Sequence, residues 1–192
     1  MPASEASHRL TLQTQALLVL ICAVAYFYAF KLNLYWFEWI EFSHGVNWVY
    51  IPSGLRLLFV LIMARLGGIG IALSSITVNY FYGDTDAHVF NIVTGLLSGA
   101  SPCIARYLAI KWFNLDTLLV NLTGRDFFKI SVLFAAVNAL LHQLWYFWVD
   151  KTQDFVASTL AMAVGDWFGT VLVLATVSLG IQLYKLKQGR QP

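Results

Sequence analysis

Arg56 and Asp166 are the residues of this 192-residue chain best placed to do chemistry: one guanidinium and one carboxylate, each inside an apolar run. An ionisable side chain is expensive in lipid, so it normally faces a bundle interior, where it pairs or lines a water-filled cavity. The chemistry that such a couple supports is recognition of a polar or charged solute. His142 and Asn138 stand four residues apart in another apolar run, on one helical face, and would form a hydrogen-bonding wall beside the charges. Asn79 and Asn91 add two amides near the ends of their runs. The competing reading is structural. Asn, His, Ser and Thr join membrane helices through hydrogen bonds worth about 1 kcal/mol each, and an Arg56–Asp166 ion pair would fix helix register with no ligand involved.

Two local segments accompany the charges. Pro52, Ser53 and Gly54 open the run that holds Arg56; proline removes a backbone donor and glycine tolerates unusual dihedrals, so an irregular rim is expected there. The amides of the helix that follows would favour an anion, with Arg56 adding a full positive charge. The plainer alternative is a proline at an ordinary helix start. Trp167, next to Asp166, joins the candidate lining, which is therefore Arg56, Asp166, His142, Asn138, Asn79, Asn91, Ser53, Gly54 and Trp167. Small residues, among them Gly67, Gly68, Ala135, Ala139 and the GxxxG pair Gly95 and Gly99, read as close helix packing.

The elements that must position these residues follow from composition. The chain is 59% hydrophobic and 11% charged with a mean hydropathy of +0.68, which excludes an ordinary soluble domain. The first apolar run, Leu10 to Phe30, is too long for a cleaved signal peptide and reads as a retained span. A membrane helix needs about 20 residues, and six candidates emerge: Leu12 to Leu32, Trp48 to Ala64, Gly67 to Tyr82 after a hinge at Gly67 and Gly68, Val89 to Ile110, Phe127 to Val149, and Phe155 to Tyr184. The expected fold is an all-α bundle of about six transmembrane helices, residues 12–184, between a polar tail at 1–11 and a basic tail at 185–192.

Orientation follows from the basic residues of short loops, which stay cytoplasmic. With the N-terminus inside, nine basic residues between Arg9 and Arg190 fall on the inner side against Lys31 and Lys151 outside, so both termini are expected in the cytoplasm of a bacterial inner membrane. Trp36, Trp39, Trp48, Trp145 and Trp148 gather at the outer boundary, where aromatic belts lie. At 1.5 Å per residue Arg56 is about 12 Å below Trp48, Asp166 about 16 Å below Phe155 and His142 about 10 Å below Val149. The polar residues thus share the outer half, and a pocket open to the outside is expected.

The stretch Val49 to Leu58 (VYIPSGLRLL), the glycine-containing turn to the next span, a later Asn-bearing helix, and Gly165-Asp166-Trp167-Phe168-Gly169 together resemble the first type of membrane-associated sensor domain, the MASE family of bacterial signalling proteins. The likeness runs from about Val46 to Gly180 and departs from the family pattern at Ile51, where a tryptophan is usual, and at Val164. It implies a membrane input module that normally precedes a histidine kinase or diguanylate cyclase. Only a short tail follows Tyr184, so such a sensor is expected to signal through a separate partner protein.

Two other classes fit the same composition. One is the substrate-binding membrane subunit of an energy-coupling-factor vitamin transporter. The other is an exosortase-type intramembrane enzyme built on Cys103, His142 and an arginine, but Cys103 lies about 21 Å deep, some 10 Å below His142, far beyond the roughly 3 Å that a nucleophile and its base require. Cys22 and Cys103 in apolar runs suggest neither a disulfide nor a metal site, and no cofactor is expected. The net charge of +2 indicates no nucleic-acid partner. The expected partners are the lipid bilayer, an unidentified small solute and a signalling or transport protein.

Overall fold

The computed structural model describes residues 10–43, 46–119, 122–152 and 154–188. Six helices dominate: α1 (Leu12–Phe37), α2 (Ile51–Met63), α3 (Arg65–Tyr82), α4 (His88–Phe113), α5 (Gly124–Trp148) and α6 (Phe155–Gln188). Four of them, α1 with its following turn, α4, α5 and α6, are long and apolar enough to cross a membrane, while α2 is a shorter apolar helix. The outward faces carry Leu20, Leu73, Leu96, Leu140, Leu144 and Leu160, and the interior holds Arg56, Asn91, Asn138, His142 and Asp166. In water that distribution would cost free energy at both surfaces. In a bilayer the apolar faces meet lipid, and the interior is where ionisable side chains are normally found.

Most of the polar N-terminal tail lies outside the described residues, although Thr11 is seen capping α1, its hydroxyl accepting from the Thr14 amide at 3.2 Å. At the other end α6 continues helically to Gln188, so the expected tail begins later than residue 185. The helices pack in the sequence α1, α3, α4, α5, α6, with α2 against α1, α3, α4 and α6. The connections α1–α2, α3–α4 and α5–α6 share one end of the bundle, here termed upper. α5 shows how sequence sets the packing: Phe134, Asn138, His142 and Tyr146, four residues apart, are buried, a spacing close to the 3.6-residue helical turn.

Two expectations change at the ends of α2. Trp48 to Tyr50 are not helical; a 3-10 turn (Glu38–Ile40) and a small antiparallel hairpin, β1 (Glu41–Ser43) with β2 (Val46–Asn47), lead into the bundle before α2 starts at Ile51. This stretch passes against α6, where the Tyr50 amide donates to the Gly165 carbonyl at 3.1 Å. An extended residue advances about 3.3 Å, more than twice a helical one, so Arg56 is deeper than a count from Trp48 at helical rise implies. Arg56 contacts Tyr26, eleven residues before the end of α1, a depth of about 16 Å. That matches Asp166.

The turn from α2 to α3 is made by Ala64, with φ 47° and ψ −119°, and not by the glycine pair. Gly67 and Gly68 are helical and serve close approach: a Cβ would stand 2.6 Å from the Phe59 carbonyl oxygen at Gly67 and 2.6 Å from Cys103 Sγ at Gly68. An L side chain at positive φ is strained by about 1–2 kcal/mol. Ala64→Gly should therefore stabilise the protein by about 1 kcal/mol, read as a rise of about 2–4 °C in melting temperature, after the entropy of the more flexible unfolded chain is subtracted.

Candidate functional site

Each helix contributes polar or aromatic residues to a cavity of about 370 Å³ at the upper end. Arg56 is 5% exposed, Asp166 2% and His142 3%, yet all three line it, together with Asn138, Asn79 and Asn91. Toward the lower end the packing is apolar. Tyr26, Val60 and Ile71 form one cluster and Leu57, Ala105, Ile130 and Phe134 another; Val60 is one turn below Arg56 on α2, and Phe134 one turn below Asn138 on α5.

The two charges are bridged by Asn138. Arg56 Nη1 donates to Asn138 Oδ1 at 3.2 Å, and Asn138 Nδ2 donates to Asp166 Oδ2 at 2.6 Å. Arg56 and Asp166 make no direct ion pair among the described residues. The rest of the guanidinium is held by phenols: Nε and Nη2 donate to the Tyr26 hydroxyl at 3.0 and 2.7 Å, and Nη2 also reaches the Tyr50 hydroxyl at 3.4 Å. Its central carbon is 5.4 Å from the Tyr26 ring centroid and 5.1 Å from that of Tyr50, within cation–π range. The cation is thus solvated by protein on several sides, and the carboxylate by one amide.

His142 extends the network along α5 and α4. Nδ1 is 3.0 Å from the Asn138 carbonyl and Nε2 is 3.3 Å from Ser98 Oγ. Ser98 donates to the Thr94 carbonyl and accepts from Ser75. Cys103 packs instead with the cluster of Tyr26, Val60 and Ile71. Asn79 and Asn91 line the cavity while also pinning the α3–α4 loop, Asn79 Nδ2 donating to the Asn91 carbonyl at 2.9 Å and Asn91 Nδ2 to the Asp84 carbonyl at 2.7 Å.

Ser53, Gly54 and Trp167 stand outside the lining. Ser53 is fully buried, its hydroxyl donating to the Asp166 carbonyl at 2.6 Å. Gly54 lies under α6, where a Cβ would meet Val173 Cβ at 2.6 Å and the Gly169 carbonyl oxygen at 2.8 Å. Trp167 packs edge-on against Phe128 with ring centroids 6.0 Å apart. The expected irregular rim is a regular helix start, with Pro52 in the first turn of α2. Its leading amides already have acceptors, Ile51 N donating to Asn33 Oδ1 at 2.8 Å and Ser53 N to the Tyr50 carbonyl at 3.1 Å. The anion site imagined at this helix end has lost those donors.

Sequence reasoning missed Tyr26, Asn33, Thr94 and Ser98. Asn33 offered a usable signal, as an amide within a helix that otherwise reads as apolar. Tyr26 offered less, because a phenol in an apolar run also suits a core or an interface. Among the described residues no three His, Cys, Asp or Glu side chains group as a metal site. No protein-family model, curated protein or solved structure matches the chain.

Proposed function

We propose that the protein is a sensory or solute-binding module of a bacterial inner membrane, which admits a small polar solute from the outer aqueous face and conveys its occupancy to a separate protein. Six spans with both termini cytoplasmic place the upper end outside, in keeping with the excess of basic residues at the lower connections. The observation that carries this reading is the cavity of about 370 Å³ whose floor is Arg56, Asn138 and Asp166. Nothing in packing alone calls for two ionisable groups held apart around an open volume, since burial of a charge is favourable only when partners compensate it.

The apolar seal beneath Arg56 and Asn138 favours binding over a path through the bundle. The separation of Cys103 from the His142 network favours binding over bond cleavage. The two segments that carry the MASE resemblance touch, through Ser53 on the Asp166 carbonyl, Tyr50 N on the Gly165 carbonyl, and Gly54 against Gly169.

The test uses Thr94→Cys, a cavity position, in a Cys22→Ala, Cys103→Ala background. A membrane-impermeant thiol reagent added to intact cells should modify this variant and leave Ala105→Cys, in the lower apolar cluster, unmodified. Modification of Thr94→Cys only from the cytoplasmic side, or only after denaturation, would refute an outward cavity.

A further inference from the structure

What the cavity takes is decided by which way its hydrogen-bonding groups face. Arg56 directs its donors to Tyr26, Tyr50 and Asn138. The amide nitrogens of Asn138, Asn79 and Asn91 are turned onto Asp166, the Asn91 carbonyl and the Asp84 carbonyl. These amide orientations are fixed by their partners, because a carbonyl or carboxylate oxygen only accepts. Particular acceptors in the lining are left over. Asn47 Oδ1 is buried without a hydrogen-bond partner, and Asn47 belongs to the lining. Asp166 Oδ1 receives no hydrogen bond among the described residues, Asn138 holding only the other oxygen. His142 Nδ1 faces the Asn138 carbonyl, and in the tautomer that donates to it Nε2 is a further acceptor. Ser98, opposite it, already donates to Thr94.

Charge and wall chemistry agree with this polarity. Among the described residues the lining holds four carboxylates, Glu38, Glu41, Asp84 and Asp166, against the two cations Arg56 and Lys151. The wall is also rich in aromatic faces, which attract cations. One of them already carries an ammonium: Lys151 Nζ lies 5.8 Å over the Phe90 ring.

We propose that the cavity binds a small organic cation, an amine whose ammonium donates to Asn47 Oδ1 and Asp166 Oδ1 and whose chain lies along the aromatic wall. This rests on the reading of the cavity as a solute site and names the class of solute. A buried acceptor left without a donor is costly, and an ammonium supplies several donors at once. A carboxylate ligand would instead bring no donor to Asn47 Oδ1, would add an anion beside Asp166, and would have to strip Arg56 from its phenols.

The experiment follows the thermal unfolding of the purified full-length protein with putrescine or succinate, four-carbon chains of opposite charge at neutral pH. Saturating putrescine should raise the melting temperature by about 5 °C, and succinate should leave it unchanged. Asp166→Asn should weaken putrescine binding at least about tenfold, and the isosteric Asn47→Asp should tighten it about tenfold by making the hydrogen bond charge-assisted. If Asp166→Asn does not fold, Asn47→Asp decides alone, and an unchanged affinity sinks the proposal. Stabilisation by succinate and not by putrescine would overturn the cation while leaving a solute site in place. No response to either would overturn it too. In that event outside modification of Thr94→Cys would preserve the cavity reading, and its absence would remove both.

Discussion

Asn138→Leu is expected to destabilise the protein by about 3–5 kcal/mol, the range for breaking a buried charge pair by removing one partner, seen as a melting temperature lower by about 10 °C. The magnitude follows from the bridge. Asn138 supplies the one hydrogen bond that the Asp166 carboxylate receives among the described residues and also accepts from Arg56 Nη1. Without it the buried carboxylate loses that hydrogen bond and Arg56 keeps only its phenols, whereas a surface asparagine would cost a few tenths of a kcal/mol. Adding Asp166→Leu to Asn138→Leu should recover about 1–2 kcal/mol, because an unmatched polar group costs more than an apolar pair of similar shape. A double variant no more stable than Asn138→Leu alone would show that the carboxylate is solvated by something other than Asn138.

Gly169→Ala should be nearly as damaging, at about 3 kcal/mol, the upper part of the range for overpacking. A Cβ at Gly169 would run into the Tyr50 carbonyl, and one at Gly165 into that of Asn47. Both obstacles are backbone, so no side-chain rotation relieves them. Alanine gains about 1 kcal/mol of helix propensity over glycine, which is too little to offset the collision. The matched control is Gly180→Ala in the same helix, where a Cβ would meet nothing within 4 Å; it should stabilise by about 0.5–1 kcal/mol. Equal effects at the two glycines would mean that the stretch from Asn47 to Ile51 does not press on α6. Since that stretch carries Tyr50 and Asn47 into the cavity wall, its loss would also open the site.

The charged centre was legible in the sequence for an energetic reason. Lipid makes ionisable and amide side chains costly, so Arg56, Asp166, Asn138 and His142 stand out by type alone, and helical periodicity places Asn138 under His142. What was hidden is the geometry between helices. Nothing in the spacing says that Asn138, rather than a direct contact, joins the two charges. Trp167 was grouped with Asp166 because it adjoins it in the chain, but adjacent residues on a helix diverge by about 100°, and it faces Phe128 instead. Ser53 and Gly54 failed similarly: they flag a contact between α2 and α6, which a sequence shows only as unusual residues. The extended entry to α2 was invisible because Val46 to Tyr50 is, apart from Asn47, apolar and aromatic, equally suited to the start of a span.

The most direct test of a solute cavity floored by Arg56 and Asp166 is an experimental density map of the full-length protein taken from its native membrane into lipid nanodiscs. The expected map has Asn138 standing between the two charges and non-protein density above them, in contact with Asp166. A cavity closed by direct contact between Arg56 and Asp166, or filled by lipid acyl chains, would contradict it.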